Sequence, residues 1–92
     1  MQANVLIPKT LIVTGANKGL GYAIVENTII QGLPYKIILC SRDKTRGQNA
    51  IDSLRKKYPN WAKDRLTLGL LDVGDKESRK DFKLWFKENY KR

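Results

Sequence analysis

A glycine-rich turn directly after an apolar run is the feature that most constrains the fold of this chain. The run Leu11-Ile12-Val13 leads into Thr14-Gly15-Ala16-Asn17-Lys18-Gly19-Leu20-Gly21. This order is typical of a strand, a tight turn and a helix N-terminus, the arrangement that seats a dinucleotide pyrophosphate. The spacing is Gly-x-x-x-Gly-x-Gly rather than Gly-x-Gly-x-x-Gly, so the strand–turn–helix context carries more weight than the glycines alone.

Each glycine of the turn has its own expected task. Gly15 permits the tight turn, and Gly19 lets backbone N–H groups approach the phosphates with no Cβ in the way. Gly21 lets the helix pack closely on the strand, and the helix N-terminus adds the positive end of its dipole. The turn therefore predicts a dinucleotide site.

Strand and helix patterns alternate along the rest of the chain. Apolar runs predict strands at residues 10–14, 35–41 and 66–71, and helical patterns predict helices at 20–31, from the cap Asp43 to the stop at Pro59, and from the cap Asp75 onward. Residues 60–65 form a polar connection. Such alternation implies right-handed βαβ units and a parallel sheet, and we expect one α/β domain over residues 1–92.

The patterns also predict which residues are buried. We expect the first strand to be buried on both faces. The expected inward-facing residues of the three helices are, in order, Leu20, Ala23, Ile24 and Ile30; Gly47, Ala50, Ile51, Leu54 and Tyr58; and Phe82, Trp85, Phe86 and Tyr90.

Composition excludes several classes of site. The chain has no histidine and one cysteine, so a disulfide framework, histidine-ligated zinc and Ser-His-Asp or Cys-His catalysis are excluded, and we expect no metal. Cys40 lies in an apolar run and is interpreted as a small buried hydrophobe. The sequence shows no signal peptide and no apolar run of about 20 residues, so we expect a cytoplasmic protein without membrane contact.

The net charge of +9 is concentrated in the second half of the chain. Residues 42–92 hold fifteen basic and eight acidic residues, against three and one in residues 1–41. A basic face for nucleic acid is one interpretation. We favour solvated helix faces, because acidic residues interleave with the basic ones and no aromatic stacking platform accompanies them.

Three segments resemble the short-chain dehydrogenase/reductase family, and within it the NADPH-dependent carbonyl reductases. They are Thr14-Gly-Ala-Asn-Lys-Gly-Leu-Gly-Tyr-Ala-Ile-Val25, Cys40-Ser-Arg-Asp-Lys-Thr-Arg-Gly-Gln48 and Leu71-Asp-Val73. The resemblance is to the N-terminal part of that family and extends over nearly the whole chain. It implies the N-terminal βαβαβα half of a Rossmann-type doubly wound parallel sheet. The implied function is hydride transfer from NADPH to a ketone, aldehyde or quinone.

The residues at the ends of the strands predict the cofactor. Arg42 follows the second strand, where an arginine pairs with the 2′-phosphate of NADP, and Lys18 can reach the same phosphate. An acid at Asp43 could instead favour NAD, but we interpret it as a helix cap. The resemblance implies that Asp72 and Val73 contact the adenine, although an aspartate after a strand can also be a turn residue. The predicted cofactor-binding residues are Gly15, Asn17, Lys18, Gly19, Leu20, Gly21, Arg42, Asp72 and Val73. Arg46 either assists Arg42 in binding the phosphate or is simply exposed.

The sequence departs from the family in its catalytic residues. The family's Tyr-x-x-x-Lys pair and its Asn-Asn-Ala-Gly segment do not occur, so no catalytic residue is predicted in this chain. We expect the domain to be incomplete at its C-terminal end, and the carbonyl substrate to bind only when the catalytic half is present. The first strand would then be an exposed edge open to a protein partner. The alternative is a non-catalytic nucleotide-binding or structural subunit that completes its sheet against another protein.

Overall fold

The computed structural model describes residues 9–62 and 64–90. Three strands alternate with four helices in the order β1 (Lys9–Val13), α1 (Gly19–Ile30), β2 (Tyr35–Ser41), α2 (Lys44–Lys57), α3 (Pro59–Ala62), β3 (Leu66–Leu70) and α4 (Lys76–Asn89). Within these residues, no helix is long and apolar enough to cross a membrane.

The three strands form one parallel sheet with the order β1-β2-β3. Leu11 pairs with Ile37 across the first interface, and Leu39 pairs with Leu68 across the second. The predicted α/β fold, a Rossmann-type half-sheet, is confirmed. As expected, β1 is an edge strand, β3 forms the other edge and β2 lies between them.

Helices cover both faces of the sheet. On one face, α1 and α2 pack on the apolar side chains of the sheet and form a buried cluster of Val13, Ala16, Val25, Ile29, Ile37, Leu39, Ala50, Ile51, Leu54 and Leu66. On the other face, Phe82 of α4 lies over Gly69, beside Ile38 and Cys40. Cys40 is fully buried, and burial raises the pKa of its thiol to about 11, which confirms the interpretation as a buried hydrophobe.

The predictions for β1 and for the buried face of α1 are wrong. Only Val13 of β1 is buried, because nothing described lies beyond its outer edge. The side chains that α1 buries are Val25, Thr28 and Ile29, whereas Leu20, Ala23, Ile24 and Ile30 are exposed. Helical spacing identifies an apolar face but not whether another element covers it, and this face of α1 has no covering element among the described residues.

Both predicted N-caps are confirmed. The Asp43 carboxylate accepts a hydrogen bond from the Arg46 N–H at 2.9 Å, and the Asp75 carboxylate accepts from the Glu77 N–H at 2.9 Å. Pro59 is a different case. It ends α2 as predicted, but it also begins α3, where a polar connection was expected. Proline is favourable at the first position of a helix because its φ is already helical and its missing N–H is not needed there.

A polar cluster joins α1 to α2. The Tyr58 hydroxyl donates to Glu26 Oε2 at 2.8 Å, and Lys57 Nζ lies 3.4 Å from the same oxygen. The Tyr22 and Ser53 hydroxyls share a hydrogen bond of 3.0 Å. An aromatic cluster lies on α4, with ring centroids 5.0 to 6.3 Å apart among Phe82, Trp85, Phe86 and Tyr90.

Candidate dinucleotide site

The glycine turn has the geometry that its residues predict. Gly15 and Gly19 have φ values of +58° and +62°, a backbone conformation that favours glycine. A Cβ on Gly21 would lie 2.7 Å from the carbonyl oxygen of Gly15, so the first turn of α1 packs directly on the turn. The Ala16 N–H donates to the Cys40 carbonyl at 2.9 Å and ties the turn to β2. The three glycines therefore fix the backbone path between β1 and α1.

The N-terminus of α1 has no side-chain cap. Lys18 occupies the cap position in an extended conformation, and its side chain makes no capping hydrogen bond. The first turn of a helix contains backbone N–H groups without partners inside the helix, and an anion is a favourable partner for them. By contrast, α2 and α4 both have aspartate caps.

The carboxyl end of β2 places Arg42 at the surface. Ser41 is fully buried, and its hydroxyl donates to the Asp43 carbonyl at 2.9 Å and accepts from the Asp43 N–H at 3.1 Å. This local turn leaves the Arg42 side chain exposed. Because the Asp43 carboxylate caps α2, the structure confirms the interpretation of that acid as a helix cap.

The segment after β3 is held by hydrogen bonds to α4. The Asp72 N–H donates to the Ser78 hydroxyl at 2.8 Å, and the Arg79 guanidinium donates to the Val73 carbonyl at 2.6 Å. The Asp72 Oδ1 atom accepts from the Gly74 N–H at 3.0 Å. Asp72 is thus a turn residue, as the alternative interpretation allowed, and its second carboxylate oxygen is the atom left for a ligand. Sequence reasoning missed Ser41, Ser78 and Arg79 as supports of this site.

The three chain segments meet at one cleft of about 310 Å³, at the carboxyl ends of the strands. Its lining consists of Thr14, Gly15, Asn17, Lys18, Arg42, Leu71, Asp72 and Val73. Six of the nine predicted cofactor-binding residues belong to this lining. Gly19, Leu20 and Gly21 lie outside it, in the first turn of α1, and the Leu20 side chain is 78% exposed. Thr14 and Leu71 line the cleft without having been predicted.

A cavity of similar size, about 350 Å³, lies at the β3 edge and has mostly apolar walls that include Leu68, Leu70, Phe82 and Trp85. It contains no part of the glycine turn, and the helix N-terminus in its wall, at Lys44, is that of α2, which the Asp43 carboxylate already caps. The cleft above β1–β3 combines two cations, an uncapped helix and an aspartate. In open α/β sheets, ligands bind outside the carboxyl ends of the strands, which is where this cleft lies.

Comparisons with known proteins agree with this geometry. No protein-family model matches the chain. The (+)-neomenthol dehydrogenase of Arabidopsis thaliana is 35% identical over 71 residues, which cover 77% of this chain and 23% of that protein. The structure of menthone neomenthol reductase from Mentha piperita superimposes with a TM-score of 0.82 at 30% identity, over 92% of this chain and 28% of that one. This chain belongs to the short-chain dehydrogenase/reductase family.

A further short-chain oxidoreductase, from Pseudomonas aeruginosa PAO1, has been solved with NADPH bound. It superimposes with a TM-score of 0.72 at 28% identity, over 89% of this chain and 30% of that one. The family therefore includes members that bind a nicotinamide dinucleotide. The present chain spans about a fifth of the length of the curated short-chain dehydrogenases/reductases that it matches, 19% to 23% for the first three.

Proposed function

We propose that this chain is the NADPH-binding portion of a carbonyl-reductase-like short-chain oxidoreductase, with the catalytic residues supplied by sequence that this chain does not contain. The observation that carries the proposal is the single cleft that joins the glycine turn, Arg42 and the Asp72-Val73 pair. The NADPH-bound relative and the reductases among the other relatives support it. A cytoplasmic location stays a prediction.

The residues of the cleft suit the parts of NADPH. The uncapped first turn of α1, including the backbone of Gly19, Leu20 and Gly21, would face the pyrophosphate. Arg42 and Lys18 would hold the 2′-phosphate, Arg42 by paired charge-assisted hydrogen bonds. Val73 would pack on the adenine ring and the free oxygen of Asp72 would accept from its amino group. The bound cofactor supplies the hydride, and these residues orient it.

The reduction of a carbonyl group also needs an acid that protonates the developing alkoxide, and proton transfer of this kind contributes about 10²–10⁴-fold to the rate. The sequence contains no tyrosine with a lysine four residues later. We therefore propose that the 92-residue chain alone does not reduce ketones, aldehydes or quinones at saturating NADPH. Steady loss of NADPH absorbance with a purified monomer would contradict this.

The test of the cofactor assignment is Arg42→Asp, made in this chain joined to the C-terminal part of a relative. We expect NADPH affinity to fall about 10- to 100-fold, since a lost charge-assisted contact is worth about 1.5–3 kcal/mol, while NADH affinity changes little. Lys44→Asp is the matched control, because Lys44 is also exposed and begins α2 but lies outside the cleft lining. Equal weakening of NADPH and NADH by Arg42→Asp would remove the NADP assignment.

The second candidate is a non-catalytic nucleotide-binding subunit that completes its sheet against another protein. The open edge of β1, with exposed apolar residues beside it, is the observation that favours this candidate. Both candidates bind NADPH, so the coding sequence beyond Arg92 separates them. A Tyr-x-x-x-Lys pair encoded there would favour the enzyme, and a stop codon would favour the subunit.

A further inference from the structure

A polar cleft of about 310 Å³ lies at the amino ends of the strands, at the opposite end of the sheet from the dinucleotide cleft. Its floor is formed by Lys36 of β2 and Thr67 of β3, on the face of the sheet that α4 covers. Both share that face with Ile38, since Lys36 precedes it by two residues and Thr67 pairs with it. The last turn of α4 forms one wall, and the turn before β3 forms the other. This volume lies at the lower end of the range for small-molecule sites, about 300–1,000 Å³.

Two cations and one acid line this cleft. Lys36 and Arg65 are both exposed, and no ion pair among the described residues involves either of them. The Arg65 guanidinium lies 5.5 Å over the Trp61 ring, a contact that restricts where its charge can lie. Asp64 is the acid, so the three charged side chains leave one net positive charge in the cleft. An anion is therefore attracted to it.

The wall from α4 brings two aromatic rings to the same cleft. Trp85 and Tyr90 line it, with ring centroids 5.8 Å apart and planes inclined by 60°. Tyr90 also stacks on Phe86 at 5.0 Å, which supports its ring. The Asn89 amide donates to the Trp85 carbonyl at 2.8 Å, so its oxygen remains as an acceptor. The expectation that no aromatic platform accompanies the basic residues is wrong for this cleft, because its cations and rings come from three separate segments of the chain.

We propose that this cleft binds a nucleoside monophosphate, with its base against Trp85 and Tyr90 and its phosphate on Lys36 and Arg65. A phosphate monoester carries about −1.5 to −2 charges at pH 7 and accepts charge-assisted hydrogen bonds from both kinds of cation. A nucleobase stacks on aromatic rings whatever its sequence. Asp64 suits the ribose hydroxyls, which donate to a carboxylate, and its charge disfavours the longer phosphate chains of di- and triphosphates.

The size of the cleft favours a free nucleotide over a nucleic acid. Proteins that bind single-stranded nucleic acid use grooves for about 4–16 nucleotides, whereas a volume of about 310 Å³ holds one nucleotide. The cleft shares no lining residue with the dinucleotide cleft. The inference therefore goes beyond the proposed function.

The test is isothermal titration calorimetry of AMP into the full 92-residue chain with NADPH at saturation, so that the dinucleotide cleft is occupied. We expect a dissociation constant of about 0.1–1 mM, because an open cleft uses only part of the binding energy that a ligand of this size can supply. Lys36→Gln and Arg65→Gln should each weaken AMP binding about 10-fold, since each removes a charge-assisted hydrogen bond. Lys80→Gln is the matched control, because Lys80 is also an exposed lysine but lies outside the lining. Absence of AMP binding, or equal affinities of Lys36→Gln and Lys80→Gln, would overturn the proposal.

Changing the ligand tests the two halves of the site. Adenosine lacks the phosphate and inorganic phosphate lacks the base, so each should bind about 10-fold more weakly than AMP or worse. If either binds as tightly as AMP, the cleft does not hold both groups and the proposal is overturned. A short oligoadenylate that binds much more tightly than AMP, and loses that affinity in Lys36→Gln, would make a nucleic acid the occupant and also overturn it.

The same titrations keep this inference separate from the proposed function. NADPH affinity is measured for the parent chain and for Lys36→Gln, and we expect it to be equal, because Lys36 lies at the other end of the sheet. A chain that binds no NADPH but loses AMP binding in Lys36→Gln would contradict the proposed function and support the nucleotide cleft. NADPH binding without a Lys36-dependent AMP site would do the reverse.

Discussion

The two edge strands of the sheet differ in what lies beyond them. Beside β3, the Arg55 guanidinium donates to the Leu66 carbonyl at 3.1 Å and so occupies an acceptor at the edge. The Arg65 guanidinium lies over the Trp61 ring at 5.5 Å, and Phe82 and Trp85 of α4 line a cavity next to the strand. Charged and aromatic side chains thus restrict access to this edge, as is usual for edges that remain exposed.

Beside β1, the surface is apolar and the edge is open. Ile12 is 39% exposed, Leu20 78% and Ile24 43%. Leu20 and Ile24 lie on the side of α1 away from α2, which is the side of the open edge. Among the described residues, no side chain hydrogen-bonds to the backbone of β1. The contrast indicates that β3 is suited to remain an edge, whereas β1 has the surface of a strand with a neighbour on each side.

The largest expected effect compares two leucines, one on each side of the molecule. Leu54 of α2 is fully buried, so Leu54→Ala should lower the free energy of unfolding by about 2–5 kcal/mol. Leu20→Ala removes the same atoms from an exposed site and should change it by less than about 0.5 kcal/mol. Urea unfolding followed by circular dichroism measures both. If both variants lose a similar free energy of unfolding, the surface beside β1 is buried in solution, for example by association of two chains.

The next prediction concerns association through the open edge. Ile12→Lys adds a charge beside the outer edge of β1, and lysine at an edge disfavours pairing with another strand. We expect the soluble fraction of the 92-residue chain to rise and its mass in solution to fall toward that of a monomer. Thr67→Lys on β3 is the control, since that edge is already restricted. Analytical ultracentrifugation gives the masses, and an unchanged mass for Ile12→Lys would show that β1 does not mediate association.

The sequence predicts the side of the molecule around β2 and α2 better than the side beside the open edge of β1. The bounds of β2, both aspartate caps and the buried face of α2 were predictable, because local patterns and short-range capping determine them. The buried face of α1 was not predictable. Leu20 and Ile24 have the spacing of a core-facing stripe, and only the absence of a covering element leaves them exposed.

For the candidate site, the sequence predicted the glycine turn, Arg42 and the Asp72-Val73 pair, and the structure brings them to one cleft. The sequence did not reveal that the Ser41 hydroxyl fixes the turn around Arg42, or that the Arg79 guanidinium binds the Val73 carbonyl. Each of these contacts joins a polar side chain to a backbone group. Many surface serines and arginines look alike in sequence, so no local signal distinguishes these two.

A smaller effect is expected from Arg55. Its hydrogen bond to the Leu66 carbonyl is partly exposed, so Arg55→Ala should lower the free energy of unfolding by about 0.5–1.5 kcal/mol. Lys56→Ala, one residue on and also exposed, should have a negligible effect. We also expect Arg55→Ala to increase association, because it frees an acceptor at the β3 edge. Urea unfolding and analytical ultracentrifugation of both variants check this. If Arg55→Ala and Lys56→Ala have the same free energy of unfolding and the same mass in solution, Arg55 does not protect the β3 edge.

The smallest effect concerns the polar cluster that ties α1, beside the open edge, to α2, beside the protected one. The hydrogen bond from Tyr58 is the main reason that the pKa of Glu26 lies below its usual value of 4.5, with the charge of Lys57 adding to it. A lowered pKa in the folded state means that the Glu26 carboxylate stabilises the fold above about pH 4.5, and that this contribution is lost as the pH falls through the folded value.

Tyr58→Phe removes that hydrogen bond and keeps the ring. Since the pKa of Glu26 then moves back toward that of the unfolded chain, we expect stability to depend less on pH as the pH falls through and below about 4.5. Tyr22→Phe is the control, because the Tyr22 hydroxyl shares its hydrogen bond with Ser53 and leaves the bond from Tyr58 to Glu26 in place. Urea unfolding at several pH values measures the slope. If Tyr58→Phe keeps the full slope and Tyr22→Phe reduces it, the link between α1 and α2 depends on Tyr22 instead of Glu26.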